Sequence, residues 1–270
     1  LYPALASSAL SAGPAGSSAG GEQPKFLATV DHGTHAVPVL VKFSPPRVDD
    51  VGVRVADLLV SEHVAHEVLA AAGHPTARST LVWAGDRVFL EVARFDRDGP
   101  EHRRGVIPLG AVDGELLVLG LRPAELVGSP LDRWSTTTAA LVAQGQLTAD
   151  DHREVRWREV FGDLVANTDM HANNLSLWLD DLALAGVAPS YDLLPMAYAV
   201  RQNELPRVTF APRVPAPADA DVARPAWEAA VTYWAALADH GEVSEAWRAV
   251  ARDNHRRVAE LGPAIGRLPR

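Results

Sequence analysis

The sequence contains no cysteine. That excludes disulfides and thiolate metal sites and is compatible with a reducing cytoplasm. No apolar run reaches the roughly 18 residues that a membrane-spanning helix needs. The start of the chain also lacks a basic stretch followed by an apolar one, the pattern of an export signal. Positive charge is scarce: 25 Lys and Arg stand against 34 Asp and Glu, a formal net charge of −9. Non-specific nucleic-acid binding rests on basic side chains that neutralise phosphates. Neither a nucleic-acid partner nor a membrane is therefore expected, and the expected location is cytoplasmic. A small nucleotide remains compatible with this charge, because a local cluster of Lys and backbone N–H groups holds one inside an acidic protein.

What is present is ample apolar material. With 47% hydrophobic residues over 270 positions, the chain can build one large domain or two lobes packed together. It begins at Leu1 rather than Met, and residues 1 to 11 read as the tail of an earlier helix, so a fragment of a longer protein is expected. Residues 13 to 24, GPAGSSAGGEQP, are too rich in small residues for a regular element and read as a linker or a ligand loop. Strands are expected at 25 to 30 and 36 to 43, a helix from 51 to 72 stopped by Gly73 and Pro75, and a hairpin over 79 to 95. Beyond residue 97 the pattern turns helical, at 131 to 144, 148 to 167, 225 to 240 and 244 to 261. A short strand pair at 175 to 179 and 182 to 188 interrupts it. The expectation is an α+β fold with a strand-rich lobe over 1–97 and a mostly helical lobe over 98–270.

Three constellations carry chemistry. Lys42, in the strand VPVLVKF, reads by itself as an edge lysine reaching water. The helix that follows places Glu62 on its apolar stripe, four residues after Leu58 and three before Ala65. A carboxylate there is costly unless a cation meets it, and Lys42 is the available cation; otherwise Glu62 sits at the stripe's edge and reaches solvent. A strand Lys paired with a helix Glu is how protein kinases hold nucleotide phosphates. The third constellation is NTDMHANN at 167 to 174, where Asp169 precedes Asn174 by five residues. In a kinase catalytic loop that Asp accepts the acceptor hydroxyl's proton and that Asn binds magnesium. Asp192 follows one hairpin later, at the place of a second magnesium ligand. Turn capping by Asp169 and helix capping by Asp192 are the plainer alternatives. A zinc site at His171 fails for want of ligands at i, i+4. His32, His63 and His66 read as surface or supporting residues, and the seven Trp as core.

Together these segments resemble the HipA family of bacterial toxin kinases, and within it the YjjJ-like branch. The resemblance rests on SSAGGEQPKF at 17 to 26, VKF at 41 to 43, SEH at 61 to 63, RFDR at 94 to 97, NTDMHANNLS at 167 to 176 and APSYDLLPM at 188 to 196. It implies a bilobal protein-kinase-like fold without the family's N-terminal subdomain, and ATP- and Mg²⁺-dependent transfer to a Ser or Thr hydroxyl. Ser17, Ser18, Ala19, Gly20 and Gly21, closed by Lys25, would form the phosphate loop, with Ser17 or Ser18 autophosphorylated. Lys42, oriented by Glu62, would meet the α/β-phosphates. Phe95 would belong to the adenine hinge and Asp96 would hold the ribose. Asp169 would be the catalytic base, and Asn174 and Asp192 the Mg²⁺ ligands. A protein acceptor such as an aminoacyl-tRNA synthetase, and a HipB-like DNA-binding antitoxin, would be its partners. Two departures stand out: Ala93 replaces a frequent Glu, and Asn173 replaces a Lys common in the catalytic loop. A catalytically silent nucleotide-binding module and a small-molecule kinase are the rival expectations.

Overall fold

The computed structural model describes residues 1–11, 23–31, 33, 36–98, 102–129 and 132–269. Ser17, Ser18, Ala19, Gly20 and Gly21 of the expected phosphate loop, and His32, lie outside the described residues. Helix α1 (Tyr2–Ser11) leads towards β1 (Lys25–Asp31) and β2 (Ala36–Phe43), which pair antiparallel with Lys25 opposite Lys42. Helix α2 (Asp50–Ala71) follows, and then the hairpin of β3 (Ser79–Ala84) and β4 (Arg87–Ala93) completes a four-stranded sheet ordered β1-β2-β4-β3.

Strand alternation sends the two faces of this sheet to different partners. Val39, Val41, Phe43 and Phe89 pack with Ala6 of α1, while Val88, Leu90 and Val92 pack with Ala56 and Leu59 of α2. Lys42 pairs with Leu90 across the ladder, so it belongs to the α2 face. The apolar stripe expected on α2 is too narrow a description. From Ala56 to His66 every residue but His63 is buried, because Leu58, Val60, Val64 and Ala65 also enter the core of the helical region. Ala72, where the expected helix ends, is exposed. Asp49 caps the helix by accepting from the Gly52 N–H at 2.8 Å.

Between the sheet and the helices lie elements that the sequence did not announce. The two-residue strands β5 (Arg97–Asp98) and β6 (His102–Arg103) pair, and β7 (Gly105–Pro108) runs into helix α3 (Leu109–Val118). Helix α3 has two internal glycines and no polar face, which hid its period. Helices α4 (Trp134–Ala143) and α5 (Ala149–Leu164) follow; a capping box between Thr148 and Asp151 starts α5. Strands β8 (Ser176–Asp180) and β9 (Ala183–Val187) join β7 in a sheet ordered β7-β8-β9.

Helix α6 (Ala220–Asp239) begins five residues before Pro225, where the sequence placed its start. Pro225 deprives the Asp221 carbonyl of its helical donor, and Arg153 Nη2 approaches that carbonyl at 3.4 Å instead. Helix α7 (Glu245–Ala259) is capped by Ser244. Trp134, Trp157, Tyr233, Trp234 and Trp247 fill the main core around α5, α6 and α7, each large ring contributing a few kcal/mol by burial. Among the described residues no helix is long and apolar enough to cross a membrane.

Candidate active site

Lys42 Nζ donates to both carboxylate oxygens of Glu62, at 2.6 and 2.7 Å, and also to Asp192 Oδ1. The three residues come from β2, α2 and the segment after β9. The lysine and glutamate side chains are 7% and 1% exposed, so this cation is held by carboxylates rather than by water. Burial opposes the charge on Lys42, but Asp192 and Glu62 together overcome it and raise its pKa above the usual lysine value. Burial likewise works against Asp192, and Lys42, with Lys25 and His66 behind it, keeps that carboxyl below the ordinary range. Glu62 is pushed up by burial, Lys42 only partly offsetting this. One ammonium between two carboxylates ionises the more accessible of them first.

Lys25 stands across the ladder from Lys42. Burial lowers its pKa and Lys42 adds to this, while Asp192 and Glu62 counteract it. Asp192 itself has φ +55°, a left-handed conformation that Asp adopts at modest cost. Two short tracts fix it there. Residues 75–77 and 188–190 run side by side, with Ser190 N donating to Pro75 O and Ala77 N to Ser190 O, both at 2.9 Å. The fully buried Arg158 of α5 ties both tracts, donating to Ala188 O at 2.8 Å and Pro75 O at 3.3 Å. The end of α2 and the approach to Asp192 thus share one anchor.

The loop carrying Asp169 leaves α5 through a Schellman turn: Asn167 N donates to Gly162 O at 2.9 Å while Ala166 takes φ +60°. Asn167 Oδ1 then accepts from Asp169 N at 3.0 Å, and Asn174 Nδ2 donates to Asp169 O at 2.7 Å. The Asn174 amide is thereby oriented, leaving its oxygen uncommitted to that bond. The Asp169 side chain is 46% exposed, with His171 Nε2 at 3.8 Å from Oδ1. Two bare glycines seat the loop: a Cβ at Gly162 would lie 2.3 Å from Met170 Sδ, and one at Gly110 would lie 2.5 Å from Asn173 Oδ1. Trp134 Nε1 donates to His171 O at 2.9 Å.

At the expected hinge, Phe95 meets Trp178 edge-on at 5.5 Å and Tyr191 at 5.9 Å. Asp96 is buried and already accepts from Arg94 at 2.9 and 2.6 Å and from Arg97 at 2.7 Å. A ribose hydroxyl would have to share it with two guanidinium groups. Sequence reading missed Arg158 and Trp134, whose partners are distant in the chain. It also set His66 aside, although His66 lies one helical turn after Glu62. His66 is buried, its Nε2 4.0 Å from Glu62 and its Nδ1 on the Ser79 hydroxyl at 2.8 Å. Among the described residues no cluster of three or more His, Asp or Glu side chains could hold a metal alone. The oxygens of Asn174 and Asp192 suit a hard cation that completes its shell with phosphate and water.

Residues 17–260 match the model of the HipA-like C-terminal domain. The chain belongs to this HipA-like family. It is 34% identical over 275 residues to the Toxin YjjJ of Escherichia coli K12, a match covering 99% of this chain and 58% of that protein. The chain thus spans a little over half of that relative's length. Among solved structures, HipA from Shewanella oneidensis MR-1, determined with HipB and operator DNA, superposes with a TM-score of 0.55 at 15% identity. That match covers 92% of this chain and 65% of HipA. The Helicobacter pylori proinflammatory kinase CtkA gives the same TM-score at 13% identity, over 90% of this chain and 93% of CtkA. The fold of this HipA-like chain is the kinase-like α+β fold.

Proposed function

We propose that this chain is the phosphoryl-transfer part of a HipA-type toxin and moves the γ-phosphoryl group of ATP to a Ser or Thr hydroxyl of a protein. The observation that carries this reading is the buried Lys42 gripped by Glu62 and Asp192, with Asp169 and Asn174 joined on the adjoining loop. Lys42 would neutralise the α/β-phosphates, exchanging its contact with Asp192 for one with the nucleotide. Lys25, together with Ser17, Ser18, Ala19, Gly20 and Gly21, would hold the phosphates from the other side, and Ser17 or Ser18 would be the autophosphorylated residue. Phe95 would flank the base.

Asn174 and Asp192 would hold Mg²⁺, which when bound supplies charge neutralisation for the transferring phosphates. The Asp169 carboxylate would take the proton of the acceptor hydroxyl as its oxygen forms the new P–O bond. The bond between the γ-phosphorus and the β–γ bridging oxygen breaks, and ADP leaves with that oxygen. A HipB-like antitoxin and an acceptor such as an aminoacyl-tRNA synthetase are the partners that fit a HipA-type toxin.

The test is incorporation of labelled phosphate from ATP into the chain and into a cell extract, beside Asp169→Asn. Loss of incorporation in the variant, with nucleotide still bound, is the expected result. Equal labelling by both proteins would overturn the role of Asp169. Nucleotide binding by the parent chain with no transfer would favour the silent module instead.

A further inference from the structure

Between the turn that pairs Arg201 with Glu204 and the short 3-10 helix Pro217–Asp219, the chain makes no helix and no paired strand, yet it is ordered by a simple rule. From 205 to 213 burial alternates residue by residue: Pro206, Val208, Phe210 and Pro212 are half-buried, and Leu205, Arg207, Thr209, Ala211 and Arg213 are exposed. Period two is the signature of an extended strand with one face on the protein. Val208 and Phe210 pack against the main core, Phe210 with its ring 6.2 Å from Trp234. No described residue bonds the backbone of 205–213.

In a strand, residues of one parity offer N–H and C=O to one edge and those of the other parity to the opposite edge. Both prolines, which lack an N–H, fall on the even edge. The odd edge keeps the donors of Arg207, Thr209, Ala211 and Arg213, none with a partner among the described residues. Arg207 and Arg213 lie six residues apart, so an extended chain turns them the same way. Both are exposed, and neither has an ion pair among the described residues. They stand out in a chain whose net charge is −9.

The segment lies beside the candidate site. Ala197 N, at its approach, donates to Ala166 O at 3.0 Å, just before the Asp169 loop. A concavity of about 400 Å³ adjoins the segment, lined by Phe210, Pro212, Arg133 and Leu164 among others. Arg133 neighbours Trp134, which holds His171 of that loop.

We propose that residues 205–213 are an open strand edge that docks an extended, acidic segment of the acceptor protein, using backbone pairing for register and Arg207 and Arg213 for charge selection. This rests on the phosphoryl-transfer reading for the word acceptor, but the docking is measurable without transfer.

The probes are two short fluorescent peptides of the same length with one central Ser, one flanked by Asp and Glu and the other by Lys. The acidic peptide should bind the full chain, more weakly as salt is raised, and the basic one should not. The Arg207→Ala/Arg213→Ala double variant should weaken the acidic peptide about tenfold. Thr209→Pro, which deletes one edge N–H, should weaken it comparably, whereas Thr209→Ala should not; circular dichroism checks that each variant folds. Equal binding of the two peptides, or Thr209→Pro behaving like Thr209→Ala, would overturn the proposal. So would duplex DNA that binds through the same arginines when the acidic peptide does not. Acidic-peptide binding by a chain that transfers no phosphate would count against the kinase reading and leave this one standing. Transfer to acceptors regardless of flanking charge would do the reverse.

Discussion

The candidate site joins two unlike regions. Lys42, Glu62 and Asp192 are charges removed from water, held by short bonds and shifted in pKa by burial and by one another. The Asp169 loop is half-open to solvent and is held by neutral hydrogen bonds through its backbone and by Asn174. The first arrangement makes the protein's integrity depend on the site. The second leaves a group whose removal should hurt chemistry and little else. A kinase needs both, since phosphates must be met by charge already in place while the acceptor must reach its base from outside.

Lys42→Met probes the buried side and should have the largest effect. It leaves Glu62 and Asp192 without the ammonium that sits between them, and breaking such a cluster costs about 3–5 kcal/mol. Urea unfolding should show a much lower midpoint, and nucleotide binding should be lost with it. Asp169→Asn probes the open side: transfer should fall about 10²–10⁴-fold, while stability should move by about 0.5 kcal/mol or less. A large loss of stability in that variant would break the contrast between the two regions.

His66 gives a smaller, pH-dependent test of the buried side. Burial, aided by Lys42 and His63, pushes its pKa down to about 3 from an ordinary 6.5. The unfolded chain therefore binds the proton more readily, and stability rises with pH across that interval. The contribution is complete above pH 6.5 and is lost as pH falls towards 3. Unfolding free energy measured above the carboxylate range should decline with acidification in the parent and decline less in His66→Gln.

The smallest effect is expected from Ser244→Ala. Ser244 caps α7 and binds the buried Asp57 of α2 through its N–H at 2.8 Å and its hydroxyl at 2.6 Å. Losing the hydroxyl should cost about 1–3 kcal/mol. If nucleotide affinity also falls, the seat of α2 on the helical region sets the position of Glu62.

Much of this was readable before any coordinates. A carboxylate at helical spacing among Leu58 and Ala65 demands a cation, and Lys42 on the preceding strand was the nearest supply. The five-residue step from Asp169 to Asn174 likewise encodes a loop that can bond itself, as Asn174 does to the Asp169 carbonyl. Local punctuation was legible wherever it was chemical, as at Gly73 after α2 and Thr148 before α5. It misled at Pro225, because a proline is tolerated inside α6 once Arg153 serves the stranded carbonyl. It was silent for α3, whose Gly110 answers to Asn173 rather than to the helix itself.

Spacing along one chain can place groups on a common face, and it did so for Glu62. It cannot report which faces meet. That Asp192 reaches Lys42 across 150 positions, that Arg158 clamps the tracts at 75 and 188, and that α2 is buried nearly all round follow from packing against partners remote in sequence. A buried charge is paired by whatever the fold brings within about 3 Å of it, and an extended segment is left open only where no neighbouring strand arrives. Both are facts of assembly, settled when the sheet and the helices closed on one another.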